Sequence, residues 1–226
     1  GNAIDVTELF TLDSALKPYL DSNRVAVTYN LLSEAEDTEV TGEGTLTADH
    51  KLMVTKCGIF KIKVTTGIVY DEENDPIYGA GEVTATLTVA KAKGTSSVRV
   101  PDAVTYGDTY TVTASSDTNT GTNPVFTYAK NLPDGTSEAL TGQPKDAGTY
   151  IVTAYFAATD LYETCDATAV FTIQPRAAVL GWSGTEFIYN GKEQSVTATV
   201  INALSGDTFD LKCAGNKETD VSDQYK

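Results

Sequence analysis

Cys57-Gly58-Ile59-Phe60-Lys61-Ile62-Lys63-Val64 returns ninety residues later as Ala147-Gly148-Thr149-Tyr150-Ile151-Val152-Thr153-Ala154. In each copy a Gly is followed two residues on by an aromatic ring, and apolar and polar positions then alternate. That alternation has the period of a half-buried strand, not of a helix. A second alternating stretch follows each copy, Ala85-Thr86-Leu87-Thr88-Val89 in the first and Ala169-Val170-Phe171-Thr172-Ile173 in the second. A unit of about 80–90 residues that closes on two such strands points to tandem β domains, because repeats of this kind each form a supersecondary unit.

Composition agrees. The chain has 226 residues, 35 of them threonine, and 41% are hydrophobic. Threonine, valine and tyrosine suit a pleated surface buried on one side, and this apolar content is enough for packed cores. No apolar run approaches the roughly 20 residues that span a bilayer as a helix. The formal net charge is −15. It opposes binding to nucleic acid, where affinity comes from neutralised phosphates, and docking on anionic lipid. Residues 1–90 carry fifteen Asp/Glu against six Lys/Arg. This surplus reads as a solubilising surface, with attraction for cations or basic partners as the functional alternative. Cys57, Cys165 and Cys213 fall in different repeats, so no staple within a domain is expected. Cys57 stands where the second repeat has Ala147 and reads as a small buried apolar residue.

Three units follow. The first spans 1–90, with strands expected at 24–31, 44–47, 51–55, 58–65 and 83–89. Asp49-His50 forms a hairpin tip, and Leu9, Leu12, Leu16 and Leu20 mark a short helix or turn that Pro18 interrupts. The second spans 91–175, with strands at 96–100, 109–114, 125–129, 136–140, 149–156 and 168–173. Turn chemistry at 106–108, 119–123, 133–135 and 143–148 separates them. Short strands at such spacing describe a Greek-key sandwich. The third, 176–226, has strands at 178–182, 186–189, 195–201 and 208–213, then stops. Asp220–Tyr225 resembles the lead-in Asp146–Tyr150, so this unit is expected to lack its last strands and the natural protein to continue. Its open edges would leave it poorly ordered or completed by a neighbouring molecule. The fold class is therefore all-β: tandem Ig-like Greek-key sandwiches, the last incomplete. The linkers 90–93 and 174–177 are short and lack the Gly/Ser runs of floppy connections, so adjacent units should touch.

Gly44-Thr45-Leu46, Lys51-Leu52, Val54-Thr55-Lys56 and Gly58-Ile59-Phe60 resemble the bacterial Ig-like (Big-type) domains of surface adhesins. Asp146-Ala147-Gly148-Thr149-Tyr150, Thr168–Ile173, Phe187–Lys192 and Gly206-Asp207-Thr208 resemble the mostly-β (MBG-type) repeats of large bacterial surface proteins. The resemblance implies secreted or cell-surface proteins whose repeats act as spacers or adhesive modules, with a protein or glycan on a host or neighbouring cell as partner. It brings no catalytic residues.

Candidate sites are few. One histidine, His50, supplies neither a triad nor a multi-histidine zinc site and reads as a solvated loop residue. No phosphate loop, CxxC pair or nucleophile elbow occurs, so the chain is expected not to be an enzyme. Asp71, Glu72, Glu73 and Asp75, in the long connection before the last strand of the first unit, could give calcium its oxygens, although the spacing is not that of an EF-hand. A solvated acidic loop is the plainer reading. Trp182, Tyr106 and Tyr128, with Tyr110 and Tyr162, could stack on sugar rings. Trp182, however, shares a strand face with Leu180, which favours packing in a core or at its edge. A Lys93–Asp166 isopeptide bond is a further candidate, of the kind found in some adhesins.

Overall fold

The computed structural model describes residues 3–22 and 24–212, together with strand Lys217–Glu218. Strands take 43% of the described residues and helix 6%, which places the chain in the all-β class. Its contacts divide it into two compact units. One comprises Gly1–Val98, Ala114–Phe126 and Ala154–Ala167, the other Arg99–Thr113, Thr127–Thr153 and Thr168–Lys226.

The first unit holds two three-stranded sheets. In one, Gly58–Thr66 lies between Val27–Leu31 and Gly81–Val89, antiparallel to both. In the other, Lys51–Lys56 lies between Ile4–Asp5 and Glu43–Leu46. Alternation puts Phe60, Ile62 and Val64 on the buried side of the central strand. Phe60 and Ile62 meet Val6 and Leu52 in a fully buried cluster, flanked by half-buried Tyr29, Leu31, Leu46 and Leu87. Gly42 packs so tightly on the Phe60 ring that a side chain there would overlap it. Ala154, Phe156 and Cys165 form a smaller cluster with Val98, Ala114 and Phe126.

The repeated phrase behaves alike in both copies. Gly148–Phe156 buries Tyr150, Val152 and Ala154 at the positions matching Phe60, Ile62 and Val64. The Tyr150 hydroxyl donates back to the carbonyl of Asp146 at 2.8 Å, and its ring packs on Phe171 beside Tyr110. Strands Val125–Asn131, Gly148–Phe156 and Cys165–Gln174 belong to one five-stranded sheet, in which Val104–Thr105 runs parallel to Ile173–Gln174.

Several local expectations are corrected. Pro18 does not break a helix; it occupies the first turn of helix Lys17–Asp21, where a missing N–H costs nothing. Within the long connection after Thr66, Val69–Tyr70 and Pro76–Tyr78 pair as a small hairpin whose tip is the acidic stretch. The strand expected at 109–114 shortens to Thr113–Ser115. Residues 186–189 and 208–212 form no strand. No residue between 174 and 212 is buried, so nothing apolar fixes those stretches against a sheet. Leu180–Ser183 pairs with Thr197–Val200, and Gln194–Ser195 with Lys217–Glu218. Cys213 and the Asp220–Tyr225 lead-in lie outside the described residues. Cys57 and Cys165 carry free thiols.

Lys61, on the central strand, donates to Asp37 and reaches Glu39, both at 2.6 Å. Hydrogen bonding to Asp37 and then Glu39 raises the Lys61 pKa. The bond from Lys61, followed by the backbone N–H of Glu39, lowers that of Asp37. The lysine contribution is therefore complete below the ordinary lysine pKa and lost as pH rises through the higher folded value. The aspartate contribution is present above the ordinary aspartate pKa and lost as pH falls through the lower folded value. Urea melts across pH should show a plateau between these limits, and Lys61→Met should make both flanks shallower.

Candidate functional sites: two clamped linkers, an aromatic strand and an edge groove

Residues 90–93, expected as the first linker, lie inside one compact unit and are hydrogen-bonded to its loop 157–163. The N–H of Cys57 donates to Asp160 O at 3.0 Å, and Ala92 N–H to Leu161 O at 3.0 Å. Glu163 N–H returns to Ala92 O at 2.8 Å, and Lys91 Nζ reaches Thr159 O at 2.5 Å. The Cys57 thiol lies 3.4 Å from Ala90 O. Cys57 is thus half-buried, not a buried apolar filler: its backbone and thiol both meet this linker and loop.

What holds the loop is Asn119, 1% exposed. Its amide nitrogen donates to Ala157 O at 2.7 Å and Glu163 O at 2.9 Å, the two ends of the loop. Its oxygen accepts from the Thr118 hydroxyl at 2.8 Å and the Cys165 thiol at 3.5 Å. A side chain on Gly94 would stand 2.6 Å from that oxygen, so only glycine lets the linker pass so close. In the sequence Asn119 belongs only to a turn cluster; a lone asparagine in a turn gives no sign that it will be buried.

Residues 174–177, expected as the second linker, lie inside the other compact unit and are held there by side chains. Arg176 Nε donates to Tyr106 O at 2.8 Å, and its Nη2 pairs with Asp108 at 3.1 Å. Tyr106 N–H donates to Gln174 O at 2.8 Å, and its hydroxyl to Asp207 Oδ1 at 2.6 Å. The bond to Asp207 is the main cause of a raised Tyr106 pKa. Gly107, at φ 88°, packs on Leu204 where a side chain would collide. Asn202 completes the clamp, donating to Ala177 O and accepting from Val179 N–H. Nothing local in the sequence marks Arg176 or Asn202, since an isolated Arg or Asn carries no pattern.

The aromatic candidates separate. Trp182 is 59% exposed and Leu180 49%. This corrects the expectation that they pack in a core: their ribbon has no second sheet over that face among the described residues. Tyr106 is half-buried and commits its hydroxyl to Asp207. Tyr128 is half-buried, and burial raises its pKa. Tyr110 donates to Pro144 O at 2.6 Å. Among the described residues no ring contact joins Trp182, Tyr106 and Tyr128. Lys93 and Asp166 are both exposed.

His50 is not a freely solvated loop residue. It sits half-buried at φ 60°, its ring 4.5 Å from that of Tyr29. The two rings border a groove of about 460 Å³ lined by the whole strand Val27–Leu31, by residues 46–48 and by His50.

The acidic tip is organised by its own backbone. Asp71 Oδ1 accepts from the N–H groups of Glu73 at 3.0 Å and Asp75 at 2.8 Å, and Asn74 takes φ 69°. Glu72 reaches Arg24 at 3.7 Å. Among the described residues no three His, Cys, Asp or Glu side chains converge as a metal site, and no helix is long and apolar enough to cross a membrane. Comparison with protein-family models, with curated proteins and with solved structures found no match to this chain.

Because amides already hold Asp71, millimolar calcium chloride added to chelator-treated protein should leave the thermal midpoint unchanged within about 1 °C, where binding would raise it.

Proposed function

We propose that the chain is a non-catalytic structural and adhesive repeat region, a stalk or binding array, of a secreted or cell-surface bacterial protein. In this reading residues 1–90 and 91–175 are Ig-like sandwiches and 176–226 part of a third. The observation that carries it is the treatment of the linkers. Neither hangs free: the first is hydrogen-bonded into the loop 157–163, the second into the turns at 106–108 and 202–207 through Arg176, Tyr106 and Asn202. A spacer needs such joints, since an unclamped linker transmits neither position nor force. The Tyr150–Asp146 bond supports the sandwich assignment, because a tyrosine that bonds back across a strand corner is a feature of Ig-like folds. The partner would be a protein or glycan on another cell, met outside the producing cell.

Exposed Trp182 favours a second reading, a carbohydrate-binding accessory module of a larger extracellular enzyme. Backbone ¹⁵N relaxation and a glycan array distinguish the two. A stalk predicts order parameters at 91–93 and 176–177 like those of the strands, about 0.85, and no saturable glycan signal. Linker values below about 0.6 would contradict it. A saturable glycan signal abolished by Trp182→Ala would establish the second reading.

A further inference from the structure

Along one side the sandwich of the first unit stays open. Val27–Leu31 is an edge strand, paired among the described residues only with Gly58–Thr66. Glu43–Leu46 is an edge of the other sheet, and the groove beside Tyr29 and His50 is lined from both. Five consecutive residues of one strand line it. Side chains alternate between faces, so a single face would supply only every second residue; an unbroken run means that the backbone edge itself forms the wall.

The direction of that edge follows from its hydrogen bonds. Gly67 N–H donates to Ala26 O, and Leu32 N–H to Lys61 O. Antiparallel strands alternate, so 26, 28, 30 and 32 turn their backbone groups to the paired strand, and Val27, Tyr29 and Leu31 turn theirs away. Three donors and three acceptors therefore face outward with no protein partner among the described residues. Tyr29, Leu31 and Leu46, each packed against the core cluster, are the apolar part of a groove whose exposed lining is mostly polar.

Other edges of this unit differ. Glu43–Leu46 is kinked by an irregularity at Glu43/Gly44 and carries the Glu43–Lys56 ion pair, devices that blunt an edge. Gly81–Val89 carries Glu82, ion-paired with Lys63. Val27–Leu31 has no charge, no proline and an unbroken register.

We propose that this edge is a strand-addition site for an extended peptide of a protein partner, flanked by Lys or Arg. An extended main chain repeats donors and acceptors at the spacing these six groups require, and one apolar side chain per two residues can rest on Tyr29, Leu31 and Leu46. Charge sets the flanks. All six Lys/Arg of residues 1–90 are ion-paired within the same unit, against fifteen Asp/Glu. The remaining negative field repels a second copy of the chain and attracts a basic strand. The inference goes beyond the stalk reading and does not depend on it, since every residue involved lies in the first unit.

The probe is a blocked nonapeptide of alternating Thr and Val with a lysine at each end, titrated into the ¹⁵N-labelled 226-residue chain. Binding should shift the amide signals of Val27, Tyr29 and Leu31 and slow their hydrogen exchange by about tenfold or more. A peptide with proline at alternate positions should not bind, and one with glutamate ends should bind about tenfold more weakly. Leu31→Lys should abolish the response; the proline peptide gives the same test without altering the protein. No shift at the three amides, or protection of Gly81–Val89 instead, would overturn the proposal. So would protection that grows with protein concentration alone, the mark of a second copy. Sugars that perturb Tyr29 and His50 without protecting amides would replace the peptide with a glycan.

Discussion

One buried carboxamide organises the segment 90–93, the first expected linker. Asn119 uses both amide hydrogens on the two ends of the loop 157–163, and that loop presents the carbonyls of Thr159, Asp160 and Leu161 to Lys91, Cys57 and Ala92. The energetics favour this design. Each exposed linker hydrogen bond is worth about 0.5–1.5 kcal/mol net, whereas a buried polar group left without a partner costs about 1–3 kcal/mol. The loop therefore cannot swing away without exposing or orphaning the asparagine. Weak bonds at the linker inherit their order from a strong constraint beneath them.

The second linker reaches the same end by other chemistry. Arg176 and Asp108 are partly exposed, and pairs of that kind contribute about 0–1 kcal/mol and weaken with salt. The steadier contacts are the Arg176 bond to the Tyr106 carbonyl, the Tyr106–Asp207 bond and the seat of Leu204 on Gly107. Salt should thus loosen this joint more than the first, whose contacts are mostly backbone to backbone. Beyond it, residues 176–212 bury nothing, and large apolar side chains such as Trp182, Ile188 and Ile201 stay exposed.

How much of this could be read from the chain depends on periodicity. Gly58–Val64 and Gly148–Ala154 were legible because alternation and a buried aromatic are local signals, and the structure buries Phe60 and Tyr150 at matching positions. Hairpin tips at Asp49-His50 and Pro133-Asp134-Gly135 were legible from turn chemistry. The stretches at 186–189 and 208–212 misled because alternation states a preference for a strand, and only a facing sheet turns that preference into one. Trp182 misled for the same reason. Asn119, Arg176 and Asn202 were invisible, since their roles arise from tertiary neighbours far along the chain, 38 residues away for Asn119 and 70 for Arg176. His50 was placed at its tip, but its contact with Tyr29 is a long-range one that no local pattern marks.

The most direct measurement is amide hydrogen exchange on Asn119→Ala beside the parent chain. If the buried amide holds the first linker in place, exchange at Cys57, Ala92 and Glu163 should quicken by about tenfold or more, while Phe60 and Ile62 in the core keep their protection. Unchanged exchange at those three amides would show that the linker is held independently of Asn119, and the buried carboxamide would lose its place as the constraint beneath the joint.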